Sequence, residues 1–218
     1  MSAYTDILIK GTQETIYMTT VATLFAYVIG IPLGILITIT APKGIMPNKF
    51  VNVVFGGIIN AIRSIPFIIL IIALIPFTKM IVGKSIGVNA AIVPLVVGSA
   101  PFVARMIESA LCELDSTLIE SAMAMGCTKS QIIFKVMLPE AFPAILRGLS
   151  ITIITLIGYS AMAGTVGGGG LGDIAVRYGY HRYQYEVMLV TIVILVAMVQ
   201  VIQVGFNVML KRIDKKSR

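Results

Sequence analysis

Long apolar runs dominate this chain, and they restrict it to structures whose backbone hydrogen bonds close within each segment. Hydrocarbon offers no partner to an exposed N–H or C=O, so only helices or a closed barrel span it. Runs near the roughly 20 residues needed for a crossing helix occur at Thr15 to Thr40, Val53 to Phe77, Val88 to Ser109, Ile145 to Val166 and Glu186 to Leu210. A hydrophobic fraction of 57%, with 12% charged residues and a mean hydropathy of +0.96, excludes a soluble domain of this length. The expected fold is an all-α integral membrane protein with five transmembrane helices.

The second run contains Arg63-Ser64-Ile65-Pro66 and spans only if residues before Arg63 are counted, so its early part could instead lie as an interfacial helix. The first is too long and too weakly flanked by basic residues for a cleaved secretory signal, and Asp6, Lys10 and Glu14 precede it. Five spans place the termini on opposite sides. With the C-terminus inside, all but Lys10, Lys79, Lys84, Arg177 and Arg182 of the 17 basic residues face the cytoplasm, as the positive-inside rule requires. The expected division is an extracytoplasmic segment 1–14, a membrane domain 15–210 with a cytoplasmic loop at about 110–144, and a basic cytoplasmic tail 211–218. The net charge of +7 is densest in that tail, where it attracts an anionic lipid leaflet and requires no nucleic acid.

Between the third and fourth spans lies a polar island, Glu113 to Glu140. Thr117 and Glu120 have capping-box spacing, Gly126 supplies a left-handed stop, and Thr128 with Gln131 repeats the box. Ile132, Ile133, Val136 and Met137 then give a second short helix an apolar stripe that ends at Leu138-Pro139. The same pattern fits an ordinary helix-turn-helix between spans.

Those residues carry a resemblance. Glu120-Ser121-Ala122, three residues, Gly126, nine residues and Val136-Met137-Leu138-Pro139 resemble the "EAA, three residues, Gly, nine residues, Ile-x-Leu-Pro" signature of ABC importer permeases, departing at Ser121 and Val136. The resemblance implies that Glu120, Ser121, Ala122, Gly126, Leu138 and Pro139 belong to a coupling loop docked on a separate ATPase. Arg63-Ser64-Ile65-Pro66-Phe67, Ile75-Pro76-Phe77-Thr78, Ala91 to Leu95, Gly158-Tyr159-Ser160-Ala161-Met162 and Gly169-Gly170-Leu171-Gly172 are similar to the permease subunits of bacterial methionine importers, from about Gly11 to Lys211. That family implies a type I importer permease in the bacterial inner (plasma) membrane, working as a homodimer. It also implies two cytoplasmic ATP-binding subunits, which hold ATP and Mg, and an extracytoplasmic substrate-binding protein that delivers methionine. No residue visibly selects a thioether, so another amino acid or small nutrient stays open. A secondary transporter or channel is the other alternative, against which stand the absence of mid-membrane acids and of an inverted repeat.

The residues themselves show no nucleophile with a positioned base, so no enzyme is expected; the chain holds no cofactor of its own. Gly83-Lys84-Ser85 lacks the first glycine of a phosphate loop, having Thr78 there, and Gly167 to Gly172 formally matches a dinucleotide pattern without its strand. One histidine, His181, and two cysteines, Cys112 and Cys127, cannot form a metal site alone. Both cysteines fall on the reducing side and are expected as free thiols. The twelve methionines are expected to be packing residues.

Small and hydroxyl residues concentrate in the fourth span, from which Thr155, Tyr159, Ser160 and Met162 are candidates to border a route, although close packing accounts for much of the composition. In the third span Pro94 and Pro101 could bend the helix. Arg63 is expected to snorkel to the cytoplasmic interface or to face a glutamate or helix carbonyls. Arg105 and Glu108, one turn apart, are candidates for a local pair or for the ATPase interface.

Overall fold

The computed structural model describes residues 2–214, whose regular elements are all helices: α1 (Ser2–Thr40), α2 (Lys49–Ser64), α3 (Phe67–Ala73), α4 (Ile75–Val82), α5 (Val88–Cys112), α6 (Ser116–Ala124), α7 (Lys129–Gln131), α8 (Leu138–Thr165), α9 (Gly170–Ile174) and α10 (Tyr185–Asp214). Two π-helical turns, Ile132–Met137 and Ala175–Tyr180, join α7 to α8 and extend α9. Residues 215–218 of the basic tail lie outside the described residues.

Four continuous helical stretches are long and apolar enough to cross a membrane, Tyr4–Thr40, Val88–Cys112, Lys129–Thr165 and Tyr185–Ile213; the bent pair α2–α3 makes a fifth if counted as one span. The bend, 102°, breaks the run placed at Val53 to Phe77 at the Arg63-Ser64-Ile65-Pro66 stretch that had made it the least regular of the five. Its cause is local. A proline denies the preceding residue the helical region, and Ile65 before Pro66 is extended, at φ −81° and ψ 125°.

Residues 2–14 continue α1 rather than standing apart from it. Tyr4, Ile7 and Leu8 pack on Leu171, Ile174 and Val187, so tertiary burial holds the polar-flanked first turns helical. Further along, the many threonines of α1 satisfy their hydroxyls within the helix. Thr15, Thr19, Thr23 and Thr38 each donate to the carbonyl four residues back, at 2.6–2.9 Å.

The core is the α1–α5 contact. Gly30 and Gly34 have the small-xxx-small spacing that lets membrane helices approach closely. An added Cβ would fall 2.6 Å from Val103 Cγ1 at Gly30, and 2.6 Å from both the Ala104 carbonyl and Ile107 Cβ at Gly34. Val103, Ala104 and Ile107 are fully buried there. Pro94 and Pro101 are buried within an α5 that runs unbroken to Cys112. By contrast α10 lies at the edge, with 11% of its most apolar stretch buried against 56% for α5; Leu189, Val193, Val201 and Val204 face outward, as a lipid-facing helix requires.

Beyond α8 the glycine run folds back on the bundle. Gly170 N donates to Glu14 Oε2 and Leu171 N to Thr15 Oγ1, both at 2.9 Å. At Gly172 a Cβ would meet the Ala161 carbonyl at 2.3 Å. These glycines serve a close helix approach.

Candidate functional site

At one end of the bundle α6 is a separately capped helix. Its N-cap is Asp115, whose carboxylate accepts from Thr117 N at 2.9 Å. This corrects the Thr117–Glu120 box: an extended aspartate caps as well as a threonine, and placing it two residues earlier puts Thr117 inside the helix. The Thr117 amide holds the Asp115 carboxyl below the usual carboxylate range. The stop falls where expected. Gly126 is left-handed at φ +78°, Cys127 N donates to Ala122 O at 3.1 Å and Gly126 N to Met123 O at 3.0 Å, the two bonds of a Schellman motif.

The next cap is the expected box, with Thr128 N to Gln131 Oε1 at 2.8 Å and Gln131 N to Thr128 Oγ1 at 3.3 Å. Its helix does not end at Leu138-Pro139. Pro139 has no N–H to give, and Leu138 N bonds to Ile133 O, five residues back, so a π turn admits the proline and the helix runs on into α8. One rod therefore extends from Lys129 to Thr165.

Of the residues of α6 only Ala122 is buried. It belongs to a core with Ile132, Met137 and Ala141 that continues to Val103 and Ile107. Glu120 and Ser121 are exposed, as are Leu118, Met123 and Met125, the last at 77%. The signature residues thus form one unit: Ala122 anchors it, Glu120 and Ser121 face out, Gly126 turns the chain, and Leu138-Pro139 joins it to the rod.

Arg105 and Glu108 make the local pair, Nη1 to Oε2 at 2.5 Å. Arg105 Nη2 also donates to Asn60 Oδ1 at 2.9 Å and Gly56 O at 3.4 Å. Its work within this chain is to tie α2 to α5.

Along α8, Thr155, Tyr159 and Met162 lie on one face at i, i+4 and i+7 spacing, with Met162 45% exposed. Ser160 is separated from them, 2% exposed and donating to Ile157 O at 2.7 Å. Tyr159 stacks on Phe67 with ring centroids 4.3 Å apart and planes 3° from parallel. Beside this pair is a recess of about 130 Å³ lined by Arg63, Ile65, Phe67, Gly98, Phe102 and Tyr159. The bend after α2 has carried Arg63 next to the middle of α5, not towards a glutamate. Gly98 makes room for the wall, since a Cβ there would crowd Phe67 and Leu70 at 3.2 Å.

Sequence reasoning missed two partnerships here. The Phe67–Tyr159 stack joins residues 92 positions apart and had no local signal. The Gly30/Gly34 contact had one, the spacing itself. Cys112 and Cys127 are free thiols, and no His, Cys, Asp and Glu cluster among the described residues has the makings of a metal site.

Residues 12–218 match the family of binding-protein-dependent transport system inner membrane components. The probable D-methionine transport system permease protein MetI of Vibrio cholerae is 50% identical over 211 residues, 97% of this chain and 94% of its own length. The D-methionine transport system permease protein MetI of Escherichia coli K12 is 52% identical over 158 residues, 72% and 73% of the two chains. A chain of the inward-facing MetNI methionine ABC transporter superposes with a TM-score of 0.96 at 48% identity, over 97% of this chain and 98% of that one. An amino acid ABC transporter solved with histidines shares the fold, with a TM-score of 0.76 at 23% identity. With a family model that spans all but the first 11 residues, and relatives at half identity along nearly the whole chain, this protein belongs to the inner membrane components of binding-protein-dependent transport systems.

Proposed function

We propose that this chain is the permease subunit of an ATP-driven methionine importer. Two copies form the membrane route, two ATP-binding subunits dock on the α6 turns from the cytoplasm, and an extracytoplasmic binding protein delivers the cargo. ATP and Mg act in the partner ATPase, and this chain is not an enzyme. The N-terminus lies outside and the C-terminus in the cytoplasm of a bacterial inner membrane. That orientation is supported by the basic residues and puts α6 within reach of a soluble ATPase.

The observation that carries the reading is the joint between α6 and the rod. Ala122 is packed on Ile132 and Met137, which belong to the π turn continuous with α8. The rod from Lys129 to Thr165 spans about 54 Å at 1.5 Å per residue. A displacement imposed on α6 is transmitted through close-packed atoms along the rod to the face of α8 where Thr155, Tyr159 and Met162 sit. Closure of the ATPase pair therefore moves the face of α8 that borders the route, and this opens it outward. Glu120 and Ser121 present the polar part of the docking surface, while Leu118 and Met125 present the apolar part.

The test is uptake into proteoliposomes holding this chain, its ATPase and its binding protein, with and without ATP and with excess unlabelled amino acids. ATP-dependent uptake blocked mainly by methionine is the expected result. Blockage by a different solute would retain the permease and discard the cargo; flux without ATP would overturn the coupling.

A further inference from the structure

Arg63 is a cation beside the middle of the membrane-crossing helix α5, with no carboxylate paired to it among the described residues. Its neighbours Gly98 and Phe102 in the recess lie 10 and 14 residues into α5, about 15 and 21 Å along it at 1.5 Å per residue. That is the middle of α5, a crossing helix of 25 residues. A charge at this depth is expensive and is retained where it faces a partner or a polar route. The three ion pairs among the described residues, Lys10–Glu14, Arg105–Glu108 and Arg177–Asp173, do not include it.

A second copy cannot supply the missing charge either. The chain has 10 acidic residues, and those within long helices stand near their ends, at Asp6, Glu14, Glu108, Glu140, Glu186 and Asp214. Glu108, the acidic residue of α5, is ten residues from Gly98, about 15 Å along the helix, and is held by Arg105. Lipid phosphates lie at the membrane surface, about 15 Å away by half the layer thickness. The anion that belongs opposite Arg63 must arrive along the route.

Resting on the importer reading above, we infer that Arg63 and the recess it shares with Tyr159 are a transient subsite for the α-carboxylate of the amino-acid cargo. A guanidinium is the side chain best matched to a carboxylate, offering paired N–H donors in a planar fork. Tyr159 lines the same recess, and its hydroxyl, which has no hydrogen bond among the described residues, is available as a further donor. The recess, about 130 Å³, has room for the head of an amino acid. The stacked Phe67 and Tyr159 rings form an apolar wall against which a side chain can lie. Its exposed position lets the cargo leave, as a route requires. Arg63 is thus a specificity-determining group for the carboxylate, and it leaves the rest of the cargo to the binding protein.

The experiment replaces Arg63 in the full complex and reads uptake, ATP hydrolysis and binding separately. In proteoliposomes Arg63→Met is expected to cut methionine uptake at least about tenfold, the loss of one charge-assisted hydrogen bond, while ATP hydrolysis stimulated by the binding protein stays within about twofold. Arg63→Lys is expected to recover part of the uptake. In nanodiscs with the ATPase but no binding protein, 4-(methylthio)butanoate is expected to compete with radiolabelled methionine, and methioninol, which lacks the carboxylate, to fail. Wild-type uptake in Arg63→Met, or competition by methioninol equal to that by methionine, would overturn the inference. So would a parallel fall in uptake and hydrolysis that Arg63→Lys does not relieve, which would mark a structural role. If the wild-type complex imports another carboxylate-bearing solute and that uptake depends on Arg63, the methionine reading fails while the subsite stands.

Discussion

Gly126 separates two explanations of the coupling turn, because its backbone is constrained and its surroundings are open. Its φ of +78° closes the Schellman motif, yet a Cβ built there meets no atom within 4 Å. Size alone is therefore tolerated by the isolated chain, and only the left-handed conformation is at issue. For a non-glycine L-residue that conformation costs about 1–2 kcal/mol, enough to shift the local turn equilibrium by a factor of about 5–30. Asparagine visits the region more readily than alanine. Gly126→Ala should then lower the ratio of cargo imported to ATP hydrolysed several-fold, and Gly126→Asn should recover most of it. Gly126→Leu carries the same backbone strain as alanine, so any extra loss in the assembled complex reports a clash with the docked ATPase. The assay is coupled uptake and hydrolysis in proteoliposomes, with hydrogen exchange at the Cys127 amide as a local probe of the turn. Equal coupling for all three variants and wild type would refute the strain argument, and equal loss in alanine and asparagine would refute its conformational basis.

Three further outcomes follow from the geometry. Gly34→Val should separate α1 from α5, because its Cβ would lie 2.6 Å from the Ala104 carbonyl; an overpacking cost of about 1–3 kcal/mol should appear as a lowered melting temperature in detergent, and an unchanged one would refute the close contact. Arg105→Met should leave Glu108 and Asn60 without their partner and weaken the α2–α5 tie by about 1–2 kcal/mol, visible as faster proteolysis of the α2 region, whereas Lys135→Met should not. Asp115 has a folded pKa lowered by the Thr117 amide, so its cap is fully present above the ordinary aspartate value of about 3.9 and is lost as pH falls through the lower folded value. Protection of the Thr117 amide, corrected for intrinsic exchange, should be level from pH 8 to 5 and fall below about pH 4; a fall near neutrality would refute the assignment.

The apolar runs and their period determined that the chain is a bundle of membrane-crossing helices, since hydrocarbon leaves the backbone no other solution. The signature around Glu120 to Pro139 was legible for a related reason: Gly126, Thr128 and Gln131 act through bonds a few residues long, and local bonds leave local traces. Even so, two local readings needed correction. Asp115 outcompeted Thr117 for the cap, and Pro139 was absorbed by a π turn instead of ending its helix, because the burial of Ile132 and Met137 rewards continuity with α8. What only the tertiary structure decided is who meets whom across the bundle. The stack of Phe67 on Tyr159, the tie from Arg105 to Asn60, the grip of Glu14 and Thr15 on the glycine run, and the seat of Arg63 beside Gly98 join residues separated by 35 to 156 positions. Such contacts depend on where a 102° bend and a close pair of glycines place whole helices, and hydropathy, which treats each span alone, carries no record of that placement.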